Sequence, residues 1–210
     1  MLQEWFDLIA PPCCPGCDTW LEQQIGFCEA CRPLLERSPS GSTPPIPLAS
    51  AYMYGGPLAD AICKLKYKAR TDLSRALGAL LANAVTPYHG LIDTVVPIPL
   101  YPKRLRRRGF NQSALLAASV AKALSAPLSV SALSRVRDTL PQVELDLSQR
   151  ASNVRNAFGA MAMPLKSRIL LVDDVTTTGA TFSDAARALR AAGAEQVYCL
   201  ALAKSNLPCA

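Results

Sequence analysis

The chain has 210 residues, half of them apolar, and a formal net charge of +6. These totals allow one medium-sized domain with its own core and a small additional segment, and the charge favours anionic partners such as phosphates, nucleotides or nucleic acid. The single histidine, His89, excludes multi-histidine metal sites, and no nucleophile motif accompanies it. A run of about 18 apolar residues and a signal-peptide pattern are both missing, so we predict a cytoplasmic protein without a membrane span.

Five of the eight cysteines lie between Cys13 and Cys31. They include two C-x-x-C pairs, which suit four-thiolate coordination of a structural Zn²⁺ ion. Metal binding would explain how the segment 1–37 folds, because it is too short for a core of its own and zinc contributes roughly 10–16 kcal/mol. A redox pair or free thiols are the alternative, and Cys13 could replace Cys14. The predicted ligands are Cys14, Cys17, Cys28 and Cys31.

Residues 38–50 are rich in proline and are predicted to link the zinc-binding segment to a larger domain, residues 51–210. Apolar spacing in that domain alternates between the periods of strands and helices, with Asn111 as a predicted N-cap. This alternation predicts an α/β fold with a mostly parallel sheet and helices on both faces. The predicted strands are Ala51–Tyr54, Asp93–Pro97, Leu128–Arg135, Ile169–Val172 and Gln196–Ala203, and the predicted helices are Leu58–Tyr67, Leu73–Val85, Gln112–Leu124 and Thr181–Ala192.

A basic stretch, Val95–Gln112, begins at a predicted strand end and leads into a predicted helix. It contains a P-I-P turn and then five basic residues between Tyr101 and Phe110. Ligands of parallel sheets bind where the strands end, so this stretch could neutralise a bound diphosphate. A solvated basic loop is the alternative. The five basic residues are Lys103, Arg104, Arg106, Arg107 and Arg108.

A polar stretch with mixed charges, residues 135–158, precedes the last predicted strand–helix unit. Its composition predicts a mobile loop that covers a bound ligand. Arg135 and Arg137 are the candidates in this loop for contact with that ligand.

The most informative stretch is Ile169–Thr181, with the sequence ILLVDDVTTTGAT. It predicts a buried strand, an acid pair at the end of the strand, a turn containing glycine, and a helix that ends at Gly193. The free N–H groups at the start of the helix suit a phosphate. The acid pair, Asp173 and Asp174, suits ribose hydroxyls or Mg²⁺ instead. The alternative is an ordinary strand–turn–helix with solvated acids.

This stretch resembles the phosphoribosyl-pyrophosphate (PRPP) motif of type I phosphoribosyltransferases, except that Thr176 stands where the family usually has an aliphatic residue. Together with the cysteine pairs, the P-I-P turn, R-R-G-F-N-Q, R-x-R-x-T-x-x-Q and R-x-x-N-V-x-x-A-F, it is similar to the ComF (GntX-like) family of competence proteins. The resemblance implies a type I phosphoribosyltransferase-like fold and binding of PRPP with Mg²⁺. The implied PRPP-binding residues are Asp173, Asp174, Val175, Thr176, Thr177, Thr178, Gly179, Ala180 and Thr181, with Pro97, Ile98, Pro99 and Leu100 as the diphosphate loop.

Three hypotheses about function follow. The first is a phosphoribosyltransferase acting on an unidentified nitrogenous base, with Asp173, Asp174, Lys103, Arg104 and Arg108 as the catalytic candidates. The second is a non-enzymatic binder of nucleic acid that uses the phosphoribosyl site to hold nucleotide phosphates. The family resemblance itself implies a role in natural transformation, in which the protein handles incoming single-stranded DNA in the cytosol. The third is an interaction module whose zinc segment contacts a DNA-uptake helicase or processing protein. The candidate nucleic-acid contacts are Tyr101, Arg106, Arg107, Arg108 and Phe110.

Overall fold

A computed structural model describes residues 12–21, 26–39, 47–138, 156–164 and 166–205. The predicted cover loop therefore lies largely outside the described residues. The helices in the described part are α1 (Gly56–Tyr67), α2 (Ser74–Ala82), α3 (Pro102–Arg108), α4 (Gln112–Leu124) and α5 (Ala180–Ala191). The strands there are β1 (Leu48–Met53), β2 (Thr94–Pro97), β3 (Leu133–Arg135), β4 (Phe158–Ala160), β5 (Ser167–Thr176) and β6 (Ala194–Lys204).

The central sheet has four parallel strands in the order β1-β6-β5-β2. Side chains of β5 alternate between two separate hydrophobic clusters: Leu170 and Val172 belong to one, and Ile169 and Leu171 to the other. Residues of α1, α2 and α4 complete the first cluster, and residues of α5 complete the second. Both faces of the sheet are therefore covered by helices, which confirms the predicted α/β fold.

The prediction of a strand at Leu128–Arg135 is wrong for its first half. Leu128 forms only an isolated parallel bridge with Val95, and β3 begins at Leu133. β3 then pairs antiparallel with β4 in a separate two-stranded sheet. An apolar run specifies a buried extended segment but does not specify its partner, and here β4 comes from beyond the loop.

Other boundaries also differ from the predictions; for example, α2 ends at Ala82 and not at Val85. β1 begins at Leu48, inside the predicted linker, because its backbone pairs with Cys199 and its neighbours in β6. β5 continues through the acid pair to Thr176. Part of the basic stretch is the short helix α3, which has Pro102 at its first position and ends at Gly109, where φ is +83°. Among the described residues, no helix combines the length and hydropathy that a membrane crossing requires.

Candidate functional site

The acid pair lies near the end of β5 and is almost fully buried, with Asp173 8% and Asp174 3% exposed. The Ser113 hydroxyl donates a hydrogen bond of 2.6 Å to Asp173 Oδ1, and the Asp174 backbone N–H donates one of 2.9 Å to the same atom. The Lys66 ammonium lies 2.6 Å from Asp174 Oδ2. Buried carboxylates are stable only when they are paired or hydrogen-bonded, and these contacts meet that need from α1 and α4.

Electrostatics within the pair favour uptake of a proton by one member. Burial and the nearby charge of Asp174 raise the pKa of Asp173 to about 7, although the Ser113 hydroxyl acts in the opposite direction. Burial alone would lower the pKa of Lys66, but the charge of Asp174 and its hydrogen bond outweigh burial and raise it. Lys66 therefore remains an ammonium ion, and the pair carries less than its full negative charge near neutral pH.

The turn after β5 leads directly into α5, which begins at Ala180. Gly179 precedes this helix with φ at +76°, and a Cβ atom there would lie 2.9 Å from Leu48 Cδ2. Glycine therefore meets both the backbone conformation and the close approach of β1. The Thr178 hydroxyl accepts a hydrogen bond of 3.3 Å from the Ala180 N–H. A turn of this kind before a helix of twelve residues presents backbone N–H groups and the positive end of the helix dipole to a phosphate.

The P-I-P segment lies at the carboxyl ends of the strands, as the acid pair does. Pro97 pairs with Val172 in the parallel register, and the Ile98 N–H donates to the Val172 carbonyl at 2.9 Å. The Asn111 amide donates to the Ile98 carbonyl at 3.0 Å, while its Oδ1 accepts from the Ser113 N–H at 3.1 Å. Asn111 is thus the N-cap of α4, as predicted, and it also holds the P-I-P segment against the start of that helix.

The basic residues of α3 divide into two groups. Lys103, Arg106 and Arg107 are exposed, while Arg104 and Arg108 are partly buried. Arg108 donates to the side-chain oxygen of Gln112, and its guanidinium carbon lies 5.7 Å from the centre of the Tyr67 ring. Burial lowers the pKa of Arg108, while the charge of Asp174 opposes that effect. Of the predicted basic candidates, Arg108 is therefore held in the electrostatic field of the acid pair.

Residues 135–138 and 156–158 of the predicted cover region lie within the described part of the chain. The guanidinium carbon of Arg135 lies 5.3 Å from the centre of the Phe158 ring. Burial lowers the pKa of Arg135, while the charge of Asp173 opposes that effect. Asp138 lies 3.7 Å from an Arg104 side-chain nitrogen. Asp138 therefore lies close to α3, and Arg135 interacts electrostatically with the acid pair.

Asp184, on the first turns of α5, receives the chain where it returns from the cover region. Its carboxylate accepts hydrogen bonds from the backbone N–H groups of Asn156 at 2.9 Å and Ala157 at 2.8 Å. Arg187 donates to the same carboxylate at 2.8 Å. Asp184 is only 6% exposed. It therefore holds the chain at residues 156 and 157 against the first turns of α5.

The sequence reasoning did not identify Lys66, Ser113 or Asp184 as site residues. Lys66 is one of three lysines at alternate positions of the sequence, and lysine side chains are usually exposed to solvent. Asp184 stands in the first half of a helix, where acids are common because they stabilise the helix dipole. Ser113 follows an N-cap and is typical of that position. Their contacts come from the tertiary fold, and no local signal marks them.

The four predicted zinc ligands come together in the structure. The sulfur atoms of Cys14, Cys17, Cys28 and Cys31 all lie within 4.8 Å of one another. Four thiolates on a tetrahedral Zn²⁺ ion, with Zn–S bonds of about 2.3 Å, are separated by about 4 Å, so the cluster fits this metal. Cys13 is not part of this group of four, and its sulfur instead accepts a hydrogen bond of 3.0 Å from Arg70. The arrangement thus selects Cys14 over Cys13.

The segment that carries the four clustered cysteines packs directly on α1. The Lys64 ammonium donates to the Gly16 carbonyl at 2.8 Å and to Asp18 at 2.7 Å. Cys14, Phe27 and Cys31 belong to the same hydrophobic cluster as Leu58 and other residues of α1. The segment therefore shares the core of the larger domain.

Comparison with known proteins gives several matches. A family model described as the phosphoribosyl transferase domain matches residues 111–207. The chain is 37% identical to the DNA utilization protein YhgH of Escherichia coli (strain K12) over 155 residues, which are 70% of this chain and 68% of that protein. It is 32% identical to competence protein F of Haemophilus influenzae over 203 residues, which are 92% of this chain and 85% of that protein.

Among solved structures, the chain is similar to the glutamine phosphoribosylpyrophosphate amidotransferase from B. subtilis, with 23% identity and a TM-score of 0.40. The matched region covers 60% of this chain and 25% of that one. Both sequence relatives are more than 30% identical to this chain over more than two thirds of its length, which is enough to establish a shared family. The chain belongs to the ComF family, together with competence protein F and the DNA utilization protein, and it contains a phosphoribosyltransferase domain.

Proposed function

We propose that this protein binds PRPP with Mg²⁺ at the carboxyl end of β5 and acts in natural transformation, where it handles incoming single-stranded DNA in the cytoplasm. The observation that carries the proposal is the buried acid pair placed directly before a glycine turn and a helix N-terminus. The names of the competence relatives support the cellular role.

Each part of the ligand has a group of matching chemistry. The 5-phosphate would accept hydrogen bonds from backbone N–H groups of residues 177–181. The carboxylates of Asp173 and Asp174 would accept hydrogen bonds from the ribose hydroxyls, and residues 97–100 would line the diphosphate. Bound Mg²⁺ would neutralise negative charge on the diphosphate. The cationic side chains of Lys103, Arg104 and Arg108 are the protein groups that would add to this neutralisation. Transfer to a nitrogenous base would require these same groups to stabilise the leaving diphosphate.

Replacing both acids by asparagine is expected to weaken binding of PRPP at least a hundredfold. Each charge-assisted hydrogen bond to a ribose hydroxyl contributes about 1.5 kcal/mol or more, and two of them account for that factor. The measurement is calorimetric titration of Mg²⁺-PRPP into zinc-loaded wild type and the Asp173→Asn/Asp174→Asn variant. Asp93→Asn is the matched control, because Asp93 precedes β2, at the amino ends of the strands, and pairs with Arg168. Wild type and the double variant binding equally would refute the proposed site.

A second candidate function is direct binding of single-stranded DNA along α3. Lys103, Arg106 and Arg107 are exposed on a helix of seven residues, which concentrates positive charge on a small surface. Three phosphate contacts predict a salt slope of about −2 for a single strand. The test measures affinity for an oligonucleotide against salt concentration in wild type and in Lys103→Ala/Arg106→Ala/Arg107→Ala. A slope near zero in wild type, or an unchanged slope in the triple variant, would exclude this surface.

A further inference from the structure

Lys66 places a permanent positive charge inside the acid pair. Its ammonium is 2.6 Å from Asp174 Oδ2, and the two side chains are only 18% and 4% exposed. The lysine comes from the last turn of α1, which is remote in sequence from the acids. Nothing in the PRPP motif itself requires this contact, so it is a separate feature of the site.

The ammonium occupies the position that a divalent cation bound to Asp174 would need. A metal ion coordinated by Oδ2 would lie about 2 Å from that oxygen, and the ammonium already lies in contact with it. The two cations would repel each other strongly in a site from which most water is excluded. Oδ1 of Asp173 already accepts hydrogen bonds from Ser113 and from the Asp174 N–H, so that oxygen is less available to a metal. Without a metal, the negative charge of the acid pair is therefore already neutralised in part by Lys66.

We propose that Lys66 is the resident counter-cation of the acid pair and excludes free divalent cations from it. A metal then enters the site only together with a phosphorylated ligand, whose anionic groups give the ammonium a new partner when it leaves Asp174. This last step rests on the proposed function, whereas exclusion of the free cation does not. Lys66 is thus a specificity-determining residue that selects the metal–ligand complex over the metal alone.

The structure indicates that displacement involves the side chain of Lys66 and leaves α1 in place. Lys64, two positions earlier on the same helix, is held by the Pro15 and Gly16 carbonyls and by Asp18 of the zinc-binding segment. Leu65 between them is fully buried. Because Lys64 and Leu65 hold the end of α1 in place, the flexible four-carbon side chain of Lys66 is the part that is able to move.

The test is titration of Mn²⁺ alone, followed by electron paramagnetic resonance of the free ion, into the zinc-loaded full chain without PRPP. Lys66→Met is expected to bind Mn²⁺ at least tenfold more tightly than wild type, and adding Asp174→Asn is expected to remove that gain. Lys68→Met is the matched control, because Lys68 carries the same charge just after α1 but is exposed. Lys66→Gln gives the same test with a polar side chain if the methionine variant does not fold.

Two results would overturn the proposal. One is equal Mn²⁺ affinity in the Lys66 and Lys68 variants, whether that affinity is high or low. The other is tight Mn²⁺ binding by wild type that disappears in Asp174→Asn, which would show that the lysine does not exclude the cation. Because no PRPP is present, either result is independent of whether PRPP binds, and the two proposals fail separately.

Discussion

Removing the four-cysteine cluster, the predicted zinc site, is expected to lower the melting temperature of the whole domain by about 10 °C or more. Cys14 and Cys31 are buried in the cluster that contains the α1 side chains, so unfolding of the segment exposes the core of the larger domain. Even a fraction of the roughly 10–16 kcal/mol that structural zinc contributes in peptides gives a loss of about 3 kcal/mol or more. Calorimetric melting of Cys14→Ser/Cys31→Ser against wild type measures the effect.

Cys13→Ser is the matched control for this prediction. Cys13 neighbours Cys14 in the sequence but contacts Arg70 and lies outside the cluster of four sulfur atoms. Its replacement is expected to shift the melting temperature by only a few degrees. If the cluster variant melted no lower than the Cys13 variant, the segment would not be a metal-dependent part of the core.

Asp184→Ala is expected to destabilise the domain by about 2–5 kcal/mol. The substitution leaves the N–H groups of Asn156 and Ala157 without their acceptor, which costs about 1–3 kcal/mol for the buried Ala157 donor and less for the part-buried Asn156 donor. Chemical denaturation followed by circular dichroism measures the free energy of unfolding. The variant is also expected to weaken PRPP binding, because these contacts hold the chain against α5, the helix whose N-terminus is proposed to bind the phosphate.

Two variants make the Asp184 prediction specific. Asp184→Asn keeps one acceptor oxygen and is expected to recover part of the lost stability. Asp60→Ala removes an exposed acid from α1 and is expected to change the free energy of unfolding by less than about 0.5 kcal/mol. Equal stability of the Asp184→Ala and Asp60→Ala variants would contradict the role of the buried carboxylate.

Features fixed by local sequence could be predicted well. The apolar run Ile169–Val172 lies inside β5, and the helix at Gln112–Leu124 has the predicted bounds because Asn111 supplies a real N-cap. The acid pair and the glycine turn are adjacent in the chain, so their placement follows from a single strand–turn–helix unit. The cysteine pairs were equally visible, because the spacing of metal ligands is itself a local pattern.

Features that depend on contacts distant in sequence could not be predicted. Lys66 and Asp174 are 108 positions apart in the numbering, and only the packing of α1 on the sheet brings them together. Asp184 gains its role from the chain that returns after the cover region. β3 finds its partner in β4, across that same region, which the apolar pattern of Leu128–Arg135 does not indicate.

The central claim is that a phosphorylated ribose binds between the acid pair and the N-terminus of α5. A crystal structure of the zinc-loaded protein with saturating Mg²⁺-PRPP tests it most directly. The account predicts the 5-phosphate within hydrogen-bond distance of backbone N–H groups of residues 177–181 and the ribose hydroxyls against Asp173 and Asp174. Ligand bound elsewhere, or these residues unchanged and without ligand at saturation, would contradict the account.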